Sequence, residues 1–145
     1  MEPESFLIRY NDYIDEIITD CVVYRADAGL LADSAKILHK PCKALWDTGA
    51  TTTMITRNVV DALHLKPVTY ATVYHAGGNS TEPCYNTYIH LPNDVLIGPI
   101  QVVEGMLEGV DVLIGMDIIG EGDFILTNNN DHTEFSFTIP SVKKL

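Results

Sequence analysis

Short runs of Ile, Val, Tyr, Phe and Leu alternate with turn-forming residues along most of the chain, a pattern that predicts strands more often than helices. Phe6 to about Arg25 reads as two strands, or as one strand bent near Asn11-Asp12. Ala26 to Ser34 reads as a connection. Lys36 to Trp46 is the next strand, with Pro41 placing part of it at an edge or bend. After the extended stretch Thr52–Thr56, Thr56 is positioned to cap a short helix with Val59 and Leu63 on one face and Val60 at their flank. That helix ends by about Lys66, because Pro67 restricts the residue before it. Strands at Thr69–Tyr74 and from Pro83 or Cys84 to Leu91 enclose a polar tip, Ala76-Gly77-Gly78-Asn79-Ser80. Pro92-Asn93-Asp94 is a turn, and Val95–Ile97 and Ile100–Val103 are short strands split by Gly98-Pro99. Val110–Ile114 is nearly all apolar, which suits a strand buried on both faces. A helical turn at Met116–Ile119 and a hairpin of Asp123–Thr127 with Phe135–Ile139, around Asn128–Asp131, complete the pattern. With no internal repeat and no linker, residues 1–145 read as one all-β domain with one or two short helices.

Composition narrows the partners. The chain has 46% apolar and 20% charged residues, a globular balance. Nine basic against 20 acidic residues give a net charge of −11, which argues against nucleic acid and against anionic membrane surfaces. No stretch reaches the roughly 20 apolar residues of a spanning helix, and Met1–Ser5 is acidic where a secretory signal is basic. Cys21, Cys42 and Cys84 are odd in number and lack CxxC spacing, so reduced thiols in a cytoplasmic setting are expected, with a disulfide between two of them left open. No pair has metal-ligand spacing, so no metal site is expected. The Met start and the terminal Lys143-Lys144-Leu145 fit a complete product.

Chemistry concentrates in Ala44-Leu45-Trp46-Asp47-Thr48-Gly49-Ala50-Thr51-Thr52-Thr53-Met54-Ile55. An Asp-Thr-Gly at the end of an apolar strand sets a carboxylate on a tight turn, where glycine lets backbone amides approach it. Thr48 is a candidate hydroxyl brace, and Ala50 leaves room for another main chain. As a bare tripeptide this is a common loop, so its context matters. The glycine-containing segment Ala76-Gly77-Gly78 follows, and then Leu113-Ile114-Gly115-Met116-Asp117-Ile118-Ile119, an apolar pair, Gly, a variable residue, Asp and a second apolar pair.

In that order and spacing the chain resembles the retroviral-type (retropepsin-like) aspartic proteases. The resemblance implies a closed or partly open β-barrel-like acid protease fold with one lobe per chain. It implies Asp47 as the catalytic carboxylate, supported by Thr48, Gly49 and Ala50 of its loop, with Thr48 bracing the facing copy of the loop and Gly49 along the substrate backbone. Tyr74, His75, Ala76, Gly77 and Gly78 would form the flap over the substrate, and Leu113, Ile114 and Gly115 the strand behind the catalytic loop. No cofactor is implied. Two departures stand out. Met116 replaces the Arg usual in viral members, which places the chain closer to cellular and bacterial ones, and Trp46 stands where a smaller aliphatic residue is commoner. By alternation Trp46 points opposite to Asp47, toward a core or interface.

Amide hydrolysis by this class uses two carboxylates sharing a proton, since like charges about 3 Å apart cannot both ionise. Neither Asp111 nor Asp117 is followed by Thr-Gly or Ser-Gly, so the second carboxylate has to come from an identical chain. A homodimer acting on an extended peptide or protein is the expected arrangement. The alternative is a catalytically inactive dimeric peptide-binding or structural module with the same fold. None of the five His residues is assigned to catalysis, although His75 sits on the flap shoulder. No Cys has an evident His partner, so a cysteine protease is a poor alternative. The residues preceding the catalytic loop exceed what compact viral enzymes need, so the N-terminal strands are expected to cover or replace the terminal dimer sheet.

Overall fold

The computed structural model describes residues 2–26 and 37–144; the predicted connection after Ala26 and the strand start at Lys36 lie outside them. Ten strands and two short helices follow one another: β1 (Glu4–Arg9), β2 (Ile18–Arg25), β3 (His39–Trp46), β4 (Met54–Ile55), α1 (Arg57–Ala62), β5 (Thr69–His75), β6 (Gly78–Leu91), β7 (Val95–Glu104), β8 (Val112–Ile114), α2 (Met116–Ile119), β9 (Asp123–Asn129) and β10 (His132–Ile139). Each strand of the order β2-β3-β8-β4-β7-β6 is bonded to the next, and β6 returns to β2 through Val22–Arg25, closing a six-stranded barrel. β5 continues outward from β6 as the free arm of a long hairpin. The all-β acid protease architecture is therefore present.

The N-terminal apolar stretch forms two strands, and they part company. β2 enters the barrel, while β1 pairs with β10 in a separate sheet of order β1-β10-β9. This sheet is fixed to the barrel by aromatic packing. Trp46 lies 5.0 Å from Phe135 and 5.1 Å from Phe137 between ring centroids, with Phe6 and Phe124 completing the cluster. Its indole N–H donates to the Thr19 hydroxyl at 2.9 Å, so the ring is buried with its polar atom satisfied. Trp46 thus points into the core, as alternation predicts, and anchors the strand whose next residue is Asp47.

Burial explains the other central strand. Val112, Leu113 and Ile114 of β8 are all buried, matching the unbroken apolar run. β8 runs parallel to β3 and antiparallel to β4. Pro41 costs the sheet little. The bonds from Trp46 N–H to the Ile17 carbonyl and from Arg25 N–H to the Leu38 carbonyl fix the phase of the β2–β3 ladder. In that phase the Val22–Pro41 pair is non-hydrogen-bonded, and β8 reaches only as far as Ala44 on the other side.

Elsewhere the elements run longer than their residue types imply. Asn79 and Ser80 belong to β6 and pair with Tyr74 and Val73, leaving Ala76-Gly77 as the turn. β7 is continuous through Gly98-Pro99, and the irregularity is absorbed as a register shift between Thr87 and Ile89 of β6. Thr56 is the N-cap residue of α1, but its hydroxyl bonds to Asp111 instead of capping the helix. Val59, Val60 and Leu63 are buried as predicted.

Candidate active site

β3 delivers the Asp-Thr-Gly loop to the end of the barrel. Asp47 N–H donates to the Ile114 carbonyl at 2.9 Å, tying the loop to β8. The Asp47 carboxylate accepts from Gly49 N–H at 2.8 Å through Oδ1, and Ala50 N–H closes the turn on the Asp47 carbonyl at 3.1 Å. Asp47 is half-buried, and Thr48 and Gly49 are exposed. The loop therefore presents a braced carboxylate at an open surface.

The brace behind the loop is a residue pair that neither motif reading assigned. Thr53 is fully buried and its hydroxyl donates to Asp117 Oδ1 at 2.7 Å, while its backbone N–H donates to Oδ2 at 2.9 Å. Gly115 N–H in turn donates to the Thr53 hydroxyl at 3.2 Å, and Met116 N–H donates to the Ala50 carbonyl at 2.7 Å. These bonds lace the Ala50–Thr53 backbone to the start of α2. Gly115 is required by the approach itself: a Cβ there would lie 2.9 Å from the Ala50 carbonyl oxygen and 2.9 Å from the Thr52 carbonyl carbon. Asp117 stood in the second sequence signature, which marks its position but not its role. Thr48, by contrast, makes no side-chain hydrogen bond among the described residues, so the intrachain hydroxyl brace is Thr53.

Beside this loop lies a cleft of about 690 Å³ bounded by the β5–β6 hairpin, α1, and the segment from Glu104 to Asp111. Met54, Val73 and Leu107 supply apolar wall, and Glu82, Glu104 and Asp111 supply carboxylates. Asp47 to Ala50 are not part of its lining. Glu104 is held from two sides, accepting from the Tyr85 hydroxyl at 2.8 Å and pairing with Arg57 at 3.4 Å. Burial, aided by that carboxylate, pushes the Tyr85 phenol up to about 12, so it stays a donor. Asp111 accepts from the Thr56 hydroxyl at 2.6 Å and from Asn58 at 3.4 Å.

Of the predicted flap residues, His75 lines the cleft. Tyr74, next to it on a strand, faces the opposite way and is 79% exposed. Ala76 and Gly77 make the turn, and Gly78 re-enters the ladder opposite His75 at φ +125°, a conformation open to glycine. Leu113, Ile114 and Gly115 occupy the buried layer behind Asp47. Among the described residues, no three His, Cys, Asp or Glu side chains gather in a metal-ligating cluster, and no helix is long and apolar enough to cross a membrane.

Comparison with known proteins gives the family and the fold. The model of the family described as "gag-polyprotein putative aspartyl protease" matches residues 34–121, more than half of the chain. The chain belongs to this aspartyl protease family, and its fold is retropepsin-like. A retropepsin-like aspartic protease from Rickettsia conorii superposes with a TM-score of 0.59 at 14% identity, covering 95% of this chain and 96% of the other. EIAV protease, in complex with the inhibitor HBY-793, gives a TM-score of 0.50 at 17% identity over 73% of this chain and 86% of its own. No curated protein matches the sequence.

Proposed function

We propose that residues 1–145 form one retropepsin-like domain that acts as a homodimeric aspartic endopeptidase in the cytoplasm. The carrying observation is the braced, solvent-facing Asp47 carboxylate on its Asp-Thr-Gly-Ala loop. Two copies meeting at a two-fold axis would bring the Asp47 carboxylates together, one deprotonated as general base on a water and one protonated toward the scissile carbonyl. The pair titrates as a unit, so neither copy holds one role permanently. Thr48, exposed at the same end, is available to brace the facing loop. The flap hairpin, with Tyr74 to Gly78 at its tip, would close over the substrate and exclude bulk water.

An extended peptide suits the cleft. Met54, Val73 and Leu107 favour apolar side chains near the cleaved bond, and the neighbouring carboxylates favour basic residues further along. The test is cleavage of a mixed peptide library at about pH 4 to 6.5. Asp47→Asn is expected to abolish cleavage while sedimentation still shows a dimer. Cleavage that survives the substitution would overturn the assignment. Peptide bound by the wild-type protein but never cut would establish the binding-module reading instead.

A further inference from the structure

Cys21 and Cys42 occupy directly opposed positions on β2 and β3. The two bonds that fix the ladder phase, Trp46 to Ile17 and Arg25 to Leu38, make this a hydrogen-bonded pair. Opposed residues in such a pair have Cα atoms about 5.5 Å apart, inside the range a disulfide spans. Both side chains project to the same face, and the Cys42 thiol donates to the Lys40 carbonyl at 3.4 Å. Cys21 is buried, whereas Cys42 is partly exposed, and together they line a groove of about 240 Å³ beside Pro92 and Asp94. Cys84 lies on β6, outside this contact.

We propose that Cys21 and Cys42 are a reversible dithiol/disulfide site, oxidised by peroxide and reopened by small thiols. The chemistry divides between them by exposure. Cys42, reached from the groove, attacks the peroxide: its thiolate forms the S–O bond, the O–O bond breaks, and hydroxide leaves. The Cys21 sulfur then attacks the Cys42 sulfenic acid, forming S–S and releasing water as the Cys21 proton is taken up. Two thiols and one peroxide become one disulfide and two waters. The neighbouring Cys21 thiol lowers Cys42, in line with its attacking first, while Cys42 and burial raise Cys21. A hydrogen-bonded ladder site holds its Cβ atoms further apart than a relaxed disulfide does, so the closed form carries strain and is readily reduced. Closure would fasten β2 to β3, the strand that runs on into Asp47.

The test reads covalent state and is independent of protease activity. Reduced full-length protein is treated with hydrogen peroxide, alkylated, and analysed by intact mass and by peptide mapping. The expected result is loss of about 2 Da and a fall from three alkylatable thiols to one, that of Cys84. Mapping should return the peptide linked through Cys21 and Cys42, and reduced glutathione without denaturant should reopen it. Cys42→Ser should block closure, whereas Cys84→Ser should not. Stable oxygen adducts on Cys42 without ring closure would overturn the proposal. So would disulfides joining two chains, or a closed form that opens only in denaturant.

Discussion

Thr53 shows how one side chain can position the Asp-Thr-Gly loop from outside that tripeptide. Its hydroxyl gives one bond and receives one, its backbone N–H gives another, and its acceptor Asp117 lies 64 residues away in sequence. Removing its hydroxyl leaves an Asp117 oxygen and the Gly115 N–H without that partner in a buried site, at a cost of about 1–3 kcal/mol. Thr53→Val is isosteric, so packing is retained and the loss is polar. Thermal unfolding should fall by that amount, and peptide cleavage should fall with it, while Thr51→Val, on the exposed neighbour, should leave both nearly unchanged. Equal effects at the two positions would refute the brace. This division was not legible in the sequence, because three consecutive threonines offer the same chemistry and only tertiary burial selects one. Trp46 was legible in its direction, since strand alternation turns it away from Asp47 toward a core or interface, and the aromatic cluster shows that it is the core.

The hairpin of β5 and β6 departs most from its residue pattern. Asn79, Ser80 and Thr81 carry the composition of a loop yet continue the ladder opposite Tyr74, Val73 and Thr72. This hairpin extends beyond the closed barrel, β5 pairing with β6 alone, so polar residues there do not signal a turn. β8 is the opposite case: it is buried on both faces, and its apolar run was sufficient to locate it. The second signature likewise gave the bounds of α2 correctly, because Gly115 stops the strand and the following apolar pair must turn inward. On the hairpin itself, Glu82 faces the cleft from β6 and lacks the Arg57 and Tyr85 contacts that occupy Glu104. It is the carboxylate best placed to meet a basic substrate side chain. Glu82→Gln should lower cleavage of Lys- or Arg-containing peptides relative to neutral analogues by about 2–5-fold, the worth of a partly exposed ion pair. An unchanged ratio across matched peptides would remove Glu82 from specificity.

At the scale of the whole molecule, charge would set the conditions under which the proposed dimer assembles. Two chains of −11 carry −22 between them at neutral pH, and their mutual repulsion opposes the dimer. Counting all five His residues as charged, each chain's formal net charge is −6, which cuts the product of the two charges by about threefold. The fold must hold through that range, and its titrating contacts have the right sign. His132 is raised, mainly by Asp131 and then by Glu134, so its contribution is full below the ordinary value of 6.5 and is lost as pH rises through its folded value. Asp123, held down first by the Ser141 hydroxyl, and Asp131, held down first by His132, contribute above 3.8 and lose that contribution as pH falls through their folded values. Between those limits all three contacts are intact. Dimer affinity should therefore strengthen as pH falls from about 7 to 5, and at fixed pH 7 it should strengthen with added salt, since screening relieves the same repulsion. Sedimentation velocity across both series decides it. Affinity that weakens with salt at pH 7 would mean that the interface is held by attractive ion pairs and that net charge does not govern assembly.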